Sequence, residues 1–195
     1  MRSSPHHAVC WRTPLTSWSK IARRIRVPLG FAAAAAFLLL ARPTKLSILI
    51  GSAVAIAGLV IRALASGHVR KNEVLTITGP YGHTRNPLYF GSLVLAGGFV
   101  VASRSWWLAL LVVVMFFAIY LPVIRSEEEF LRMRFPEFGE YERNVPRLFP
   151  RFTPYQSSSN SFHWHLYWKH REYNAAVGAA VLIAILILNA HWFGT

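Results

Sequence analysis

The apolar residues of this chain gather into long charge-free runs separated by short polar segments. Residues 46–61 carry no charge, and the run continues past Arg62 to Ala65; residues 106–124 and 175–190 are also charge-free. A helix rises about 1.5 Å per residue, so about 20 residues cross a hydrocarbon core about 30 Å thick. These three runs therefore predict membrane spans. Two shorter runs accompany them. Residues 27–41 are rich in alanine and leucine, with Pro28 placed for a first helical turn. Residues 89–102 are short for a full crossing and read as a half-span, or as a span that begins inside the preceding loop. Gly91, Gly97 and Gly98 would let a neighbouring helix approach that run closely, and Trp106 with Trp107 opens the next run as an interfacial anchor. The expected fold is an all-α integral membrane protein of about five transmembrane helices.

The polar segments are more distinctive. Residues 79–91 read Gly-Pro-Tyr-Gly-His-Thr-Arg-Asn-Pro-Leu-Tyr-Phe-Gly. Pro80 and Pro87 bias Gly79 and Asn86 away from helical dihedrals, and Gly82 can take positive φ, which predicts an irregular, preorganised loop. It concentrates Tyr81, His83, Arg85, Asn86 and Tyr89. Just upstream, residues 74–78 alternate briefly and read as a short extended piece that positions the loop. Beyond the fourth run, Pro122 predicts a kink as the helix leaves the membrane. Residues 125–135 follow as an amphipathic helix ended by Pro136 and Gly139. Residues 149–168 are aromatic, prolyl and serine-rich, suited to lying along the interface. The chain thus divides into a basic, flexible or interfacial arm (1–26), a membrane core (27–150), and an interfacial segment with a last span (151–195).

Composition sharpens this picture: 54% hydrophobic residues, a mean hydropathy of +0.35 and a formal charge of +13 are rarely combined in a soluble domain. The basic residues flank apolar runs instead of forming one patch, which favours membrane topology and anionic lipid over nucleic acid. If all five segments cross, the N-terminal side carries eighteen Lys and Arg, and the other side only Arg42, Lys45 and Arg104. That imbalance places the N-terminus, the 79–91 loop and the Glu127–Glu129 segment in the cytoplasm. The arginine-bearing leader has the outline of a signal peptide, but its length and the leucines at 38–40 favour a retained first span. Cys10 is the only cysteine, so the chain holds no internal disulfide and no cysteine-based metal cluster. His6 and His7 read as solvated residues, since no further ligand is suggested nearby.

Glu127, Glu128 and Glu129 are three of only eight acids in the chain. One reading is simple surface pairing at helical spacing, Arg125 with Glu129 and Glu128 with Arg132, worth a few tenths of a kcal/mol per pair. The other is that one glutamate binds a cation in a pocket rimmed by the loop aromatics, through cation–π attraction and direct ion pairing. Gly79-Pro-Tyr, then Arg85-Asn-Pro-Leu-Tyr and Gly91, then Glu127-Glu128 about one span later, then 135–141 and Val145-Pro-Arg-Leu-Phe-Pro, follow in a specific order. Together they resemble the isoprenylcysteine carboxyl methyltransferase and phospholipid methyltransferase group of integral membrane enzymes, over roughly residues 67–150.

The resemblance implies S-adenosylmethionine bound on the cytosolic side. It implies contacts to the cofactor from Tyr81, His83, Arg85, Asn86, Pro87, Leu88 and Tyr89, with Glu73, Val74, Leu75 and Thr76 as a backbone-lining strand. Glu127 or Glu128 would take the ammonium group. Arg125 would face the acceptor and, with Asn86, stand in the catalytic positions. Two residues depart from the family pattern: Asn86 stands where histidine is common, and Pro136 where glycine usually follows phenylalanine. Asparagine cannot act as a base near neutral pH; His83 is the nearest substitute, against a bland reading as a solvated loop residue.

Methyl transfer from a sulfonium is an in-line displacement that gains chiefly from alignment and exclusion of water. A carboxylate acceptor needs no base and could be held by Arg125, whereas an amine acceptor must be neutral. The expected function is therefore methyl transfer to a lipophilic acceptor, isoprenylcysteine carboxylate-like or phospholipid amine-like, with membrane lipids as surroundings. Two readings of other classes compete: a sterol-reductase-like enzyme using NADPH, and a basic membrane scaffold without catalysis. The methyltransferase reading requires Asn86 and Tyr89 to lie against the acidic cluster.

Overall fold

The structure, a computed structural model, describes residues 17–70, 74–156 and 162–193. The first helix, α1, spans Ser17–Leu40 and starts well before the apolar run, so Pro28 lies in its interior and not in its first turn. Residues 17–26, expected as an arm, are thus helical, and Ala22 is fully buried against Ile119 and Val123. Residues 1–16, with His6, His7 and Cys10, lie outside the described residues.

Helix α2, Lys45–His68, opens on a reciprocal cap in which Ser47 N–H donates to Thr44 Oγ1 at 3.2 Å and Thr44 N–H to Ser47 Oγ at 2.9 Å. A single turn, α3 (Pro80–His83), precedes α4 (Pro87–Ser103). The third apolar segment therefore begins inside the loop, with Pro87 in the first turn, where its missing N–H costs nothing. Helix α5 (Trp106–Met115) passes through a π-helical turn, Phe116–Tyr120, into α6 (Leu121–Arg134). The wide turn directly precedes Pro122, where the ladder must accommodate a residue without an N–H. Helices α7 (Phe138–Asn144), α8 (Trp164–Lys169) and α9 (Tyr173–Phe193) complete the chain.

Three helical stretches are long and apolar enough to cross a membrane: Lys45–His68, Trp106–Arg134 and Tyr173–His191. Pro28–Leu40 and Pro87–Ser103 are shorter apolar helices. The described residues are all helix or irregular chain, without strands.

Helices α2 and α4 form the most intimate pair. A Cβ on Gly51 would come within 2.5 Å of Gly98 O, one on Gly58 within 2.5 Å of Leu95 N, and one on Gly98 within 2.5 Å of Ala55 N. The backbones touch, as small residues permit in a bilayer where apolar burial gives no preference for helix over lipid. Gly97, expected in the same interface, faces open space. At one end, Phe37, Ile48, Ala102, Leu108 and Leu186 tie five helices into one cluster.

At the other end a separate core forms from Phe138, Tyr141 and Val145, with Leu75, Ile77 and Tyr155 packed on it. This packing explains the brief alternation at 74–78. Leu75 and Ile77 point into the small core, but the segment forms no ladder, so the expected backbone-lining strand is corrected to irregular chain. Gly139 is likewise no terminator, since it lies within α7.

Candidate functional site

The 79–91 loop is held from both sides. Gly79 sits at φ +59°, a conformation few residues but glycine adopt, and a Cβ there would meet the His68 ring at 2.6 Å. The segment after α7 then straps the loop by its backbone: Arg85 N–H donates to Pro146 O at 2.9 Å, Arg151 N–H to His83 O at 2.9 Å, and Tyr155 N–H to Gly82 O at 2.9 Å. Thr84 Oγ1 donates to Leu148 O at 2.9 Å, and Tyr141 O–H donates to Tyr81 O at 2.7 Å. Burial pushes the phenols of Tyr81 and Tyr141 up, so both stay protonated at neutral pH.

Within this frame Asn86 and Glu128 meet. Asn86 Nδ2 donates to Glu128 Oε1 at 3.0 Å and to Arg147 O at 3.0 Å. Glu128 is 3% exposed, and it also accepts from Arg147 Nε at 2.8 Å and lies 3.4 Å from Arg85 Nε. Its expected surface pairing with Arg132 does not occur. Arg132 turns instead to Glu142, with Nη2 at 2.6 Å from Oε2, and Arg85 Nη1 reaches the other Glu142 oxygen at 2.8 Å. The Arg85 contacts are charge pairing, because neither Nε nor Nη1 has its hydrogen aligned for a hydrogen bond. Partial burial pushes the Glu142 carboxyl up, but the Arg132 and Arg85 guanidiniums outweigh it and hold the carboxyl below the ordinary range.

Glu127 has different company. Tyr89 O–H donates to Glu127 Oε1 at 3.0 Å, and Tyr89 packs edge-on to Tyr120 with centroids 6.2 Å apart. Among the described side chains no Lys, Arg or His pairs with Glu127. A half-buried carboxylate oriented by a phenol is fitted to receive a ligand cation. Both loop residues required to face the acidic cluster therefore do so.

The remaining expected residues are dispersed. Glu73 lies outside the described residues and Val74 is exposed; Thr76 Oγ1 sits 3.5 Å from Arg70 N. Leu88 is half-buried, with its carbonyl accepting from Ser92 Oγ at 2.8 Å. Arg125 is exposed, and at about 100° per residue it lies on nearly the opposite side of α6 from Glu127. It is not drawn into the cluster.

A second feature borders the same loop. A cavity of about 580 Å³ opens between α2, α3, the start of α4 and the 150–156 strap. Its walls include Ile61, Leu64, Pro87, Phe90, Pro150 and Pro154, and its polar groups are His68, His83, Thr84 and Gln156. His83 Nδ1 is 2.8 Å from Arg151 O, and His68 Nδ1 is 2.7 Å from Leu64 O. A carbonyl only accepts, so each Nδ1 carries a hydrogen, and in the neutral ring each Nε2 keeps its lone pair.

Sequence reasoning missed Arg147, Glu142 and His68. Arg147 stands inside the Val145-Pro-Arg-Leu-Phe-Pro motif, but neither its pairing with Glu128 nor the part played by Glu142 could be read from the sequence, because pairing across the strap has no sequence period. Arg62 was seen only as an interruption in an apolar run, yet its Nη2 pairs with Glu172 at 2.6 Å and its Nη1 donates to Ser92, joining α2, α4 and the start of α9.

The family model for phospholipid methyltransferases matches residues 31–137, more than half of the chain. Two similar proteins are the cobalt-zinc-cadmium resistance protein CzcN of Cupriavidus metallidurans, 39% identical over 90 residues, and the nickel-cobalt-cadmium resistance protein NccN of Alcaligenes xylosoxydans xylosoxydans, 40% identical over 90 residues. In each case the match covers 46% of this chain and 42% of the relative. No solved structure matches. With the charge-free helices and the matched stretch running from α1 through α6, this chain belongs to the phospholipid methyltransferase family of membrane proteins.

Proposed function

We propose that the protein is an S-adenosylmethionine-dependent methyltransferase acting on a lipophilic acceptor at the cytosolic face of the membrane. The observation that carries this reading is the division of labour between neighbouring glutamates. Glu128 is consumed by Arg147, Arg85 and Asn86, whereas Glu127 offers a carboxylate that a phenol orients and that pairs with no cation among the described side chains. A ligand ammonium fits Glu127, and Tyr89 and Tyr120 supply aromatic surface for the adjoining cation. The cofactor supplies an electrophilic methyl group. The chain's contribution is to fix the loop against the strap, so that binding groups are in place before the ligand arrives.

Asn86 in this reading is a positioning residue. It holds Glu128 and the Arg147 carbonyl together and needs no proton-accepting power. Glu128 with its two arginines keeps α6 against the loop, and Arg125 plays no part in the cofactor site. The relatives' printed names concern metal resistance. Among the described residues no group of three or more His, Cys, Asp or Glu could hold a metal ion, so the reading assigns no metal-ligand role.

The test is transfer of tritiated methyl from S-adenosylmethionine into total membrane extract, with lipid and protein products separated. Label in a lipid-soluble product, lost with Glu127→Gln, is the expected result. An unlabelled extract in the presence of folded protein, or reduction of an extract lipid by NADPH, would overturn it.

A further inference from the structure

We propose that Arg62 is a positioning residue of the cofactor site, and that Glu172, which lies beyond the stretch matched by the family model, acts on that site through it. The inference rests on the methyltransferase reading, because what is positioned is the Tyr89–Glu127 pair. Its evidence is a separate chain of polar contacts that runs from the head of α9 across α2 to the first turn of α4.

Arg62 stands in a helix apolar enough to span the membrane, where a guanidinium is costly unless it is paired. Its side chain is 21% exposed and that of Glu172 13%, with Nη2 at 2.6 Å from Glu172 Oε2. The other terminal nitrogen, Nη1, donates to Ser92 Oγ. A hydroxyl has one hydrogen, and Ser92 spends it on Leu88 O at 2.8 Å, so its oxygen is left to accept from Arg62. Leu88 directly precedes Tyr89, whose O–H donates to Glu127 Oε1 at 3.0 Å. The planar fork of an arginine can hold both partners in fixed directions, which a lysine cannot.

The surrounding packing favours this reach. A Cβ on Gly91 would come within 2.8 Å of Arg62 Cγ, so the glycine lets the arginine stem cross α4 on its way to Ser92. Glu172 is fixed from its own side, because the chain before α9 docks along the last turn of α2. His163 N–H donates to Gly67 O at 3.0 Å, His170 Nδ1 lies 3.1 Å from Ser66 O, and the Phe162 ring packs on Gly67 where a Cβ would stand. Glu172 also acts on the loop at a distance. Burial first, then Tyr141, Glu127, Glu172 and Tyr89, push the Tyr81 phenol up, so both glutamates act on one loop residue. Helix α9 is thereby tied to a site otherwise built by the loop and α6. Cutting the chain frees the Leu88–Tyr89 turn, and a bound ammonium must then restrain what the protein no longer holds.

Calorimetry of S-adenosylhomocysteine with the whole detergent-purified protein, in two backgrounds, tests the proposal. Ser92→Ala cuts the chain but leaves the Arg62–Glu172 pair. Its thermal midpoint should stay within about 2 °C of the unaltered protein, while affinity falls about fivefold. Made in Glu127→Gln, the same substitution should lower affinity by less than about 1.5-fold, because the group it positions is already lost. Glu172→Gln should lower affinity at least about threefold, and that loss too should vanish in Glu127→Gln. Arg62→Lys, which keeps the charge without the fork, should match Ser92→Ala. Affinity within about 1.5-fold of the unaltered protein in Ser92→Ala or in Glu172→Gln, or equal losses in the two backgrounds, would overturn the proposal and leave the methyltransferase reading standing. Failure of the unaltered protein to bind S-adenosylhomocysteine would remove that reading, and this one with it.

Discussion

Glu127 and Glu128 are neighbours in sequence with opposite fates, and the difference follows from helix geometry. A step of about 100° turns Glu128 toward the strap and Glu127 toward Tyr89. Removing one partner of a buried ion pair typically costs about 3–5 kcal/mol. Glu128→Ala is therefore expected to lower the thermal midpoint sharply and to impair ligand binding only as a result of unfolding. Glu127→Gln, which leaves the Tyr89 contact possible, should keep the midpoint and lose ligand affinity; equal destabilisation by both, measured by a thermal melt, would erase the distinction. Glu142 adds a pH dependence of known sign. Its carboxyl is held low by Arg132 and Arg85, so its stabilising contribution is complete above the ordinary carboxylate value of about 4.3. It is lost as pH falls through the depressed value. A melt series from pH 7 to pH 3 should show a smaller acid-side loss in Glu142→Gln than in the unaltered protein.

At the scale of elements, the α2–α4 contact sets the position of the loop that connects them. Gly98 has backbone of α2 within 2.5 Å of any added Cβ, whereas Gly97 has nothing within 4 Å. Gly98→Val is expected to separate the helices and abolish ligand binding, and Gly97→Val to leave the thermal midpoint almost unchanged. Similar effects from both, by melt and by binding, would contradict the packing. The sequence made much of this legible. The charge-free runs identified the helices long enough to span, and Pro87 with the adjoining apolar residues allowed a span starting within the loop. The start of α1 escaped because residues 17–26 are basic and show no apolar period, although Ala22 is buried. The backbone-lining strand expected at 73–76 does not form among the described residues, because alternation reports which side chains are buried, and Leu75 and Ile77 satisfy it by packing on Phe138 and Tyr141. The loop–glutamate contact was legible from motif order. The strap partners Arg147 and Glu142 were not, since long-range ion pairing leaves no periodic trace.

At the scale of the whole molecule, charge asymmetry and site position make one joint statement. The charge imbalance is the ground for proposing that the loop, α6 and α7 face the cytosol. In a Cys10→Ser background, a cysteine at Glu137 should react with an impermeant thiol reagent only after the membrane is opened, and one at Ser105 should react in intact cells. The reverse pattern would put the site on the wrong side for a cytosolic cofactor. The exposed aromatics Phe149, Phe152, Trp164 and Trp168 fit an interfacial rim around that site.

The account depends most on Glu127 acting as the receptor for a ligand ammonium. Isothermal calorimetry of S-adenosylhomocysteine with detergent-purified protein measures this directly. The account predicts saturable binding by the unaltered protein and at least a tenfold loss, about 1.4 kcal/mol, in Glu127→Gln at an unchanged thermal midpoint. No binding by the unaltered protein, or equal binding by the variant, would contradict it.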